Sequence, residues 1–205
     1  IATAIHNFYA TLYALRPRAF GPLTWDWTMT MEDLPKIPRE ANEVLSAQFT
    51  IEEFEWVLTK RMALGKAPGP DGLTVGLYRA LWGHLAEPLL KSIEQGLETG
   101  VLSNVQRTAA IKLLQKKGKD PHKLTNWRPI SLMSTDTKIF SGAIAARLEP
   151  FMPSLLSCEQ LAFSRGIQMQ EGNRLIEYMI DDCITNGCPS ILVAIDFTKA
   201  FDSVS

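Results

Sequence analysis

Cysteine is scarce. The 205 residues hold three, Cys158, Cys183 and Cys188. Their number is odd and their spacing is not CxxC, which argues against a disulfide framework or a zinc site and makes a reducing compartment the simpler reading. Neither sign of charge dominates: 21 Lys and Arg stand against 22 Asp and Glu, for a net charge of −1. The chain as a whole is therefore not a basic nucleic-acid binder, and any such role rests on a local patch. No apolar run approaches the ~20 residues that a membrane-spanning helix needs, and residues 1–10 lack the basic start of a signal peptide. Internal repeats and low-complexity tracts are absent. His6, His84 and His122 are spaced for neither metal ligation nor a catalytic triad, and no Ser or Cys sits in a nucleophile elbow. What remains is ordinary globular usage, 46% hydrophobic and 21% charged, in a chain long enough to bury a core.

Periodicity predicts a mixed, helix-rich α+β chain. Residues 1–15 read as an amphipathic helix through Ile5, Phe8, Tyr9, Leu12 and Tyr13. Residues 16–49, with Pro17, Pro22, Pro35 and Pro38, read as loop or linker. Thr50 and Glu53 match a capping box, followed by Phe54, Val57, Leu58 and Met62 on one face of a helix ending near Leu64. A second helical pattern covers 74–98. Pro88 should kink or split it, and Gly100 suits its end. The period then changes. Residues 108–114 and 128–133 read as two strands of a hairpin around a polar, basic loop. Residues 135–148 form a helix, 150–157 a Pro-bearing connection, 164–172 a polar loop and 173–185 a helix with Leu175, Ile176, Met179 and Ile180 inward. Ile191-Leu192-Val193-Ala194-Ile195 is the strongest strand signal, apolar throughout, with both faces expected to be covered.

Four constellations could carry chemistry. Asp196 stands at the end of that apolar run, with Asp202 six residues on. A carboxylate there suits a divalent cation, and magnesium takes hard oxygen ligands. Asp196 equally suits the cap of a helix beginning near Thr198. Arg107, Lys112, Lys116, Lys117, Lys119, Lys123 and Arg128 make the hairpin basic against Asp120 alone. Cations at a hairpin tip suit phosphate, and Arg offers it two donors; a solvated turn is the plainer reading. Trp127 beside Arg128 suggests that the arginine is partly buried and held, and so needs an anion. Gly65-Lys66-Ala67-Pro68-Gly69-Pro70-Asp71-Gly72 is a dense turn that would bring backbone close to a ligand. It lacks the closing Gly-Lys-Ser/Thr of a phosphate-binding P-loop. Phe163-Ser164-Arg165-Gly166, with Gln168 and Gln170, is a polar loop that says little alone.

The order of these pieces is more specific than any one of them. The 65–72 turn, then Asn126-Trp127-Arg128-Pro129-Ile130-Ser131-Leu132, then Glu159-Gln160-Leu161-Ala162-Phe163, then Ile195-Asp196-Phe197-Thr198-Lys199-Ala200-Phe201-Asp202 resembles the reverse transcriptase of non-LTR (LINE-type) retrotransposons, over about residues 45–205. The resemblance implies a right-hand polymerase: an N-terminal extension in 1–49, fingers in 50–170, and the start of the palm in 171–205. It implies RNA-templated DNA synthesis on an RNA template and DNA primer from deoxynucleoside triphosphates, with no membrane role and an intracellular setting in cytoplasm and nucleus. By the same resemblance Asp196 is a metal-binding catalytic aspartate and the Phe197 carbonyl assists a magnesium ion. Phe201 crowds the sugar 2′ position. Arg128 grips the incoming triphosphate, aided by Lys116, Lys117 or Lys119. Lys66, Gly69, Asp71 and Gly72 touch the template. Two departures stand out. Arg165-Gly166-Ile167 replaces the family's Pro-Gly-Arg, and the chain stops before the palm's paired aspartates, so the 205 residues are expected to be a fragment that does not polymerise by itself. A repurposed relic that binds RNA without chemistry is the alternative, and a group II intron maturase a lesser one.

Overall fold

The computed structural model describes residues 2–14, 36–157, 160–162 and 168–196. They fall into two compact units, Lys36–Leu155 on the one hand and Ile1–Pro35 with Leu156–Ser205 on the other.

The Lys36–Leu155 unit is a helical body carrying one hairpin. Its first helix after the N-terminal α1 (Ala2–Leu12) is α2 (Arg39–Ser46), inside a stretch expected to be loop. Eight residues with Pro38 at the N-cap carry little signal of their own. Burial of Ala41 fixes the helix, and such tertiary support is what short helices depend on. α3 (Ile51–Trp56) starts at the expected capping box: Glu53 N–H donates to Thr50 Oγ1 at 3.3 Å and Thr50 N–H to Glu53 Oε2 at 2.9 Å. It widens into a π-turn over Val57–Arg61 and ends there, closed by Met62 N–H on the Val57 carbonyl. Carbonyls left over at a helix end need donors. Arg79 supplies them, donating to Leu58 O at 2.9 and 3.1 Å, Thr59 O at 3.0 Å and Met62 O at 2.6 Å.

Arg79 comes from α4 (Val75–Ala80), which precedes α5 (Trp82–Thr99). The break falls at Leu81, not at Pro88. Leu81 closes α4 through its N–H on the Leu77 carbonyl, and its own carbonyl receives His84 and Leu85 to open α5. Pro88 lies in the second turn of α5 on an exposed face, so its ring costs only the bond to the His84 carbonyl. Gly100 takes φ +73° at the end of α5, as expected. A second capping box, Ser103 with Gln106, opens α6 (Asn104–Arg107). The buried Gln106 side-chain amide donates to Ser92 Oγ on α5 at 3.3 Å, and the Gln106 backbone carbonyl accepts from Thr137 Oγ1 at 3.0 Å. β1 (Ala109–Gln115) and β2 (Trp127–Met133) pair antiparallel, and α7 (Thr135–Leu148) follows directly. The expected connection at 150–157 holds a 3-10 turn and the one-turn α8 (Met152–Leu155).

The core lies between α3, α5 and α7. Phe54, Leu58, Ile93 and Ile139 are fully buried, each worth about 1.5–3 kcal/mol relative to exposure. α7 meets the π-turn closely: a Cβ on Gly142 would sit 2.6 Å from Val57 Cγ1.

In the other unit, α1 buries Tyr9 and stacks it on Tyr13 at 5.9 Å. α9 spans Met169–Thr185, starting four residues before the sequence pattern suggests. Two expectations fail here. Leu175, Ile176, Met179 and Ile180 are not inward but 41–57% exposed. Residues 190–196 form no strand, and Ile191 is 91% exposed. An apolar run becomes a strand only when neighbours bond its edges and cover its faces; among the described residues nothing pairs with this one.

Candidate functional site

The hairpin presents its residues by strict alternation. In an antiparallel pair, opposite residues share a face and adjacent ones do not. Leu114 pairs with Arg128 and Lys112 with Ile130, so these four occupy one face; Leu113 with Pro129 and Gln115 with Trp127 occupy the other. The first face is exposed throughout, with Leu114 at 45% and Ile130 at 40%. It combines two cations with an apolar platform, which suits a ligand with both phosphate and flat apolar parts. Alternation also corrects one expectation. Trp127 does not hold Arg128, because it turns to the opposite face and donates its indole N–H to the Pro121 carbonyl at 2.9 Å. Arg128 is exposed, and its side chain makes no hydrogen bond or ion pair among the described residues.

The loop between the strands is laced to itself. Lys116 N–H donates to Asn126 O at 2.8 Å, Gln115 Nε2 to Lys119 O at 3.0 Å, and Asn126 Nδ2 to Asp120 O at 3.0 Å. Gly118 turns the chain at φ +73°. Lys116 spends its ammonium on the Thr125 carbonyl at 3.1 Å. Lys117, Lys119 and Lys123 are exposed, and Asp120, the one nearby acid, is occupied by the His122 N–H at 2.9 Å. These ammonium groups stand on a structured tip with no carboxylate partner among the described residues.

The 65–72 turn docks at the base of this hairpin. Gly65 and Gly72 take φ +74°. Gly69 lies directly on the β2–α7 junction: an added Cβ would sit 2.7 Å from the Met133 carbonyl carbon and closer still to Ser134 N. Lys138 Nζ donates to Ala67 O at 3.3 Å and Thr135 Oγ1 to Leu73 O at 2.6 Å, while Asp71 Oδ1 accepts the Leu73 N–H at 3.1 Å. Gly69 and Asp71 thus shape the turn, and Lys66 is its exposed cation. Tyr78 lies beneath. Its phenol is pushed up to about 12, first by burial and then by the charges of Asp136 and Asp71.

Sequence reasoning missed Lys112 as a face partner of Arg128, and Thr135 and Lys138 as anchors of the turn. Hairpin register exposes the first, and the i, i+3 spacing at the start of α7 the second. Asp196 is exposed in the 190–196 segment of the other unit. Phe197, Phe201 and Asp202 lie outside the described residues, as do Glu159 and 163–167. The adjacent acids Asp181 and Asp182 belong to helix α9, not to a strand. No group of three metal-ligating side chains occurs among the described residues, and none of their helices is long and apolar enough to cross a membrane.

Residues 114–205 match the family described as reverse transcriptase (RNA-dependent DNA polymerase). Over these residues the chain is similar to that family, and the relatives it resembles along more of its length are transposon and mobile-element proteins. It is 30% identical over 201 residues to the transposon TX1 uncharacterized 149 kDa protein of Xenopus laevis, covering 97% of this chain and 15% of that protein. It is 27% identical over 184 residues to the RNA-directed DNA polymerase from mobile element jockey of Drosophila melanogaster, covering 85% of this chain and 19% of that protein. A retrovirus-related Pol polyprotein from the type-1 retrotransposable element R1 of Bradysia coprophila is 28% identical over 154 residues, 71% of this chain and 14% of that protein. The chain thus spans less than a fifth of the length of these relatives.

Proposed function

We propose that this chain is part of an RNA-directed DNA polymerase, with fingers in 50–170, the beginning of the palm in 171–205 and an extension in 1–49. The observation that carries the reading is the seat of Gly69 on the Met133–Ser134 backbone. It joins a backbone-exposing turn to the root of a basic hairpin, so that one compact unit offers two adjoining surfaces for a nucleic-acid substrate. On the hairpin, Arg128 with Lys116, Lys117 and Lys119 meets the incoming deoxynucleoside triphosphate, placing fixed cations where charge develops. On the turn, Lys66, Gly69, Asp71 and Gly72 meet the template RNA beside the DNA primer. Phe201 crowds the 2′ position of the incoming sugar. The setting is intracellular.

Asp196 is the catalytic carboxylate of this reading, and the Phe197 carbonyl lies next to it in the chain. A carboxylate oxygen is the right donor for magnesium, whose chemistry would be activation of the attacking hydroxyl and neutralisation of the leaving pyrophosphate. One exposed carboxylate does not make a binding site, and the described residues hold no group of three metal-ligating side chains. The remaining ligands belong to the rest of the polymerase.

Two measurements test the reading. The intact chain should bind an RNA–DNA template–primer duplex with affinity that falls steeply with salt, since each phosphate contact contributes roughly one unit of log–log slope; Arg128→Ala should lower that slope. The 205 residues should not extend the primer, whereas a longer protein that does should lose incorporation with Asp196→Asn. Salt-independent binding, or normal copying by the asparagine variant, would overturn it.

A further inference from the structure

α9 ends in a Schellman turn. Gly187 takes φ +63°, its N–H donates to the Ile184 carbonyl at 3.4 Å, and the Cys188 N–H reaches back to the Cys183 carbonyl at 3.0 Å. In this motif the two residues joined by the six-to-one bond commonly have side chains that meet across the turn. Here both are cysteines. A backbone N–Cα bond is about 1.46 Å, and a carbonyl oxygen lies about 2.4 Å from its own Cα. The two Cα atoms are therefore at most about 6.9 Å apart even with every vector in line, and the bends at nitrogen and oxygen bring them closer. Disulfides span Cα separations of about 4.4–6.8 Å.

The side chains agree with the backbone. Both cysteines line one open hollow of about 520 Å³, together with Ile176, Met179, Ile180 and Ser190. The Cys183 thiol contacts Ser190 Oγ at 3.0 Å, which turns it toward the chain that follows Cys188. Cys188 is exposed and Cys183 half-buried, and both are free thiols.

We propose that Cys183 and Cys188 form a reversible dithiol–disulfide site, oxidised by a small disulfide such as glutathione disulfide. The exposed Cys188, as its thiolate, attacks one sulfur of glutathione disulfide and expels one glutathione thiolate, leaving a mixed disulfide. Cys183 then gives up its proton, attacks the Cys188 sulfur and expels the second glutathione. Two protein thiols are oxidised to one S–S bond while one glutathione disulfide is reduced to two thiols. The new bond closes a six-residue ring over the end of α9 and ties down the chain that leads, eight residues on, to Asp196.

Trypsin provides the test, because cleavage after Arg174 and Lys199 leaves both cysteines on the peptide 175–199 and puts Cys158 on 148–165. The intact reduced chain is treated with glutathione disulfide, its remaining thiols are alkylated, and it is digested without reduction. The expected 175–199 peptide is two hydrogens lighter than its reduced form, unalkylated and free of glutathione. In Cys158→Ser the titratable thiols should fall from two to none, and a reducing agent should restore both. A 175–199 peptide with two alkylated thiols, with glutathione retained on either sulfur, or linked to 148–165, would overturn the proposal.

Discussion

Arg147 grips both oxygens of Glu53, its Nε 2.6 Å from Oε1 and its Nη2 2.7 Å from Oε2. Ninety-four residues separate them in sequence. The same guanidinium donates to the carbonyls of Ala47 at 2.5 Å and Gln48 at 2.7 Å, and lies 4.0 Å over the Phe49 ring. Glu53 meanwhile caps α3 through the Thr50 N–H. One fork-shaped cation from α7 therefore ties down the end of α2, the start of α3 and the segment between. Arginine suits this task because its planar donors satisfy several acceptors at once.

Arg147→Met should loosen all three elements together. The side chain is only 7% exposed, while Glu53 is 33% exposed, so water can recover part of the abandoned carboxylate. The expected loss is about 2–4 kcal/mol, below the upper end for a fully buried pair. Urea unfolding of the intact chain measures it, and a change under about 0.5 kcal/mol would show that the network is decorative.

Acid should weaken the same joint. The Arg147 hydrogen bond, against the opposing effect of burial and helped by the Thr50 N–H, holds the Glu53 carboxyl below its usual 4.5. The folded state thus releases this proton more readily than the unfolded one. Its contribution is complete above about pH 4.5 and disappears as pH falls through the lower folded value. Glu53→Gln should flatten the acid limb of a stability–pH curve, and an unchanged limb would contradict the assignment.

Alkaline titration should single out Tyr78. Its phenol is pushed up to about 12 from 10.0 by burial and by Asp136 and Asp71. The folded state keeps that proton longer than the unfolded state, so stability should decline as pH rises from about 10 to about 12. In an ultraviolet titration, the phenol that ionises at about 12 in the native chain should be missing from Tyr78→Phe. Asp136→Asn should move that step to lower pH.

Gly69→Ala should separate packing from conformation. The position carries no positive φ, so alanine fails there only because its methyl would strike the Met133–Ser134 backbone. Overpacking against backbone costs about 1–3 kcal/mol. Gly83→Ala, where a Cβ meets nothing within 4 Å, is the matched control and should be neutral or slightly stabilising in helix α5. Equal effects at the two sites would refute the close approach.

Lys112→Ala should weaken binding of an RNA–DNA duplex and lower the log–log salt slope by roughly one. The side chain is exposed, so the unfolding midpoint should not move. A slope unchanged by the substitution would remove Lys112 from the surface it shares with Arg128.

Local rules were readable wherever the local chain decides. The Thr50–Glu53 capping box, the 135–148 helix, the glycine after α5 and the hairpin all follow from short-range chemistry. α2 was not readable, because eight residues after Pro38 are held by Arg147 and α7 from far along the chain. Pro88 misled because an exposed ring in the second turn of a helix loses one bond only, while Leu81 had no breaker residue to mark it. Arg128 was legible as a cation on the hairpin, but its exposure needed the register that places Trp127 on the other face. The 191–195 run has the composition of a buried strand, yet composition cannot provide the neighbours that would bury it.

That uncovered run has a practical bearing on handling the polypeptide. Ile191-Leu192-Val193-Ala194-Ile195 is apolar, β-branched at every second residue, uncharged and free of proline, the profile of segments that stack into fibrils when left open. Solubility of these 205 residues at high concentration will accordingly be limited by this five-residue patch before it is limited by unfolding of the helical body, and a charged substitution at Val193 is the economical remedy.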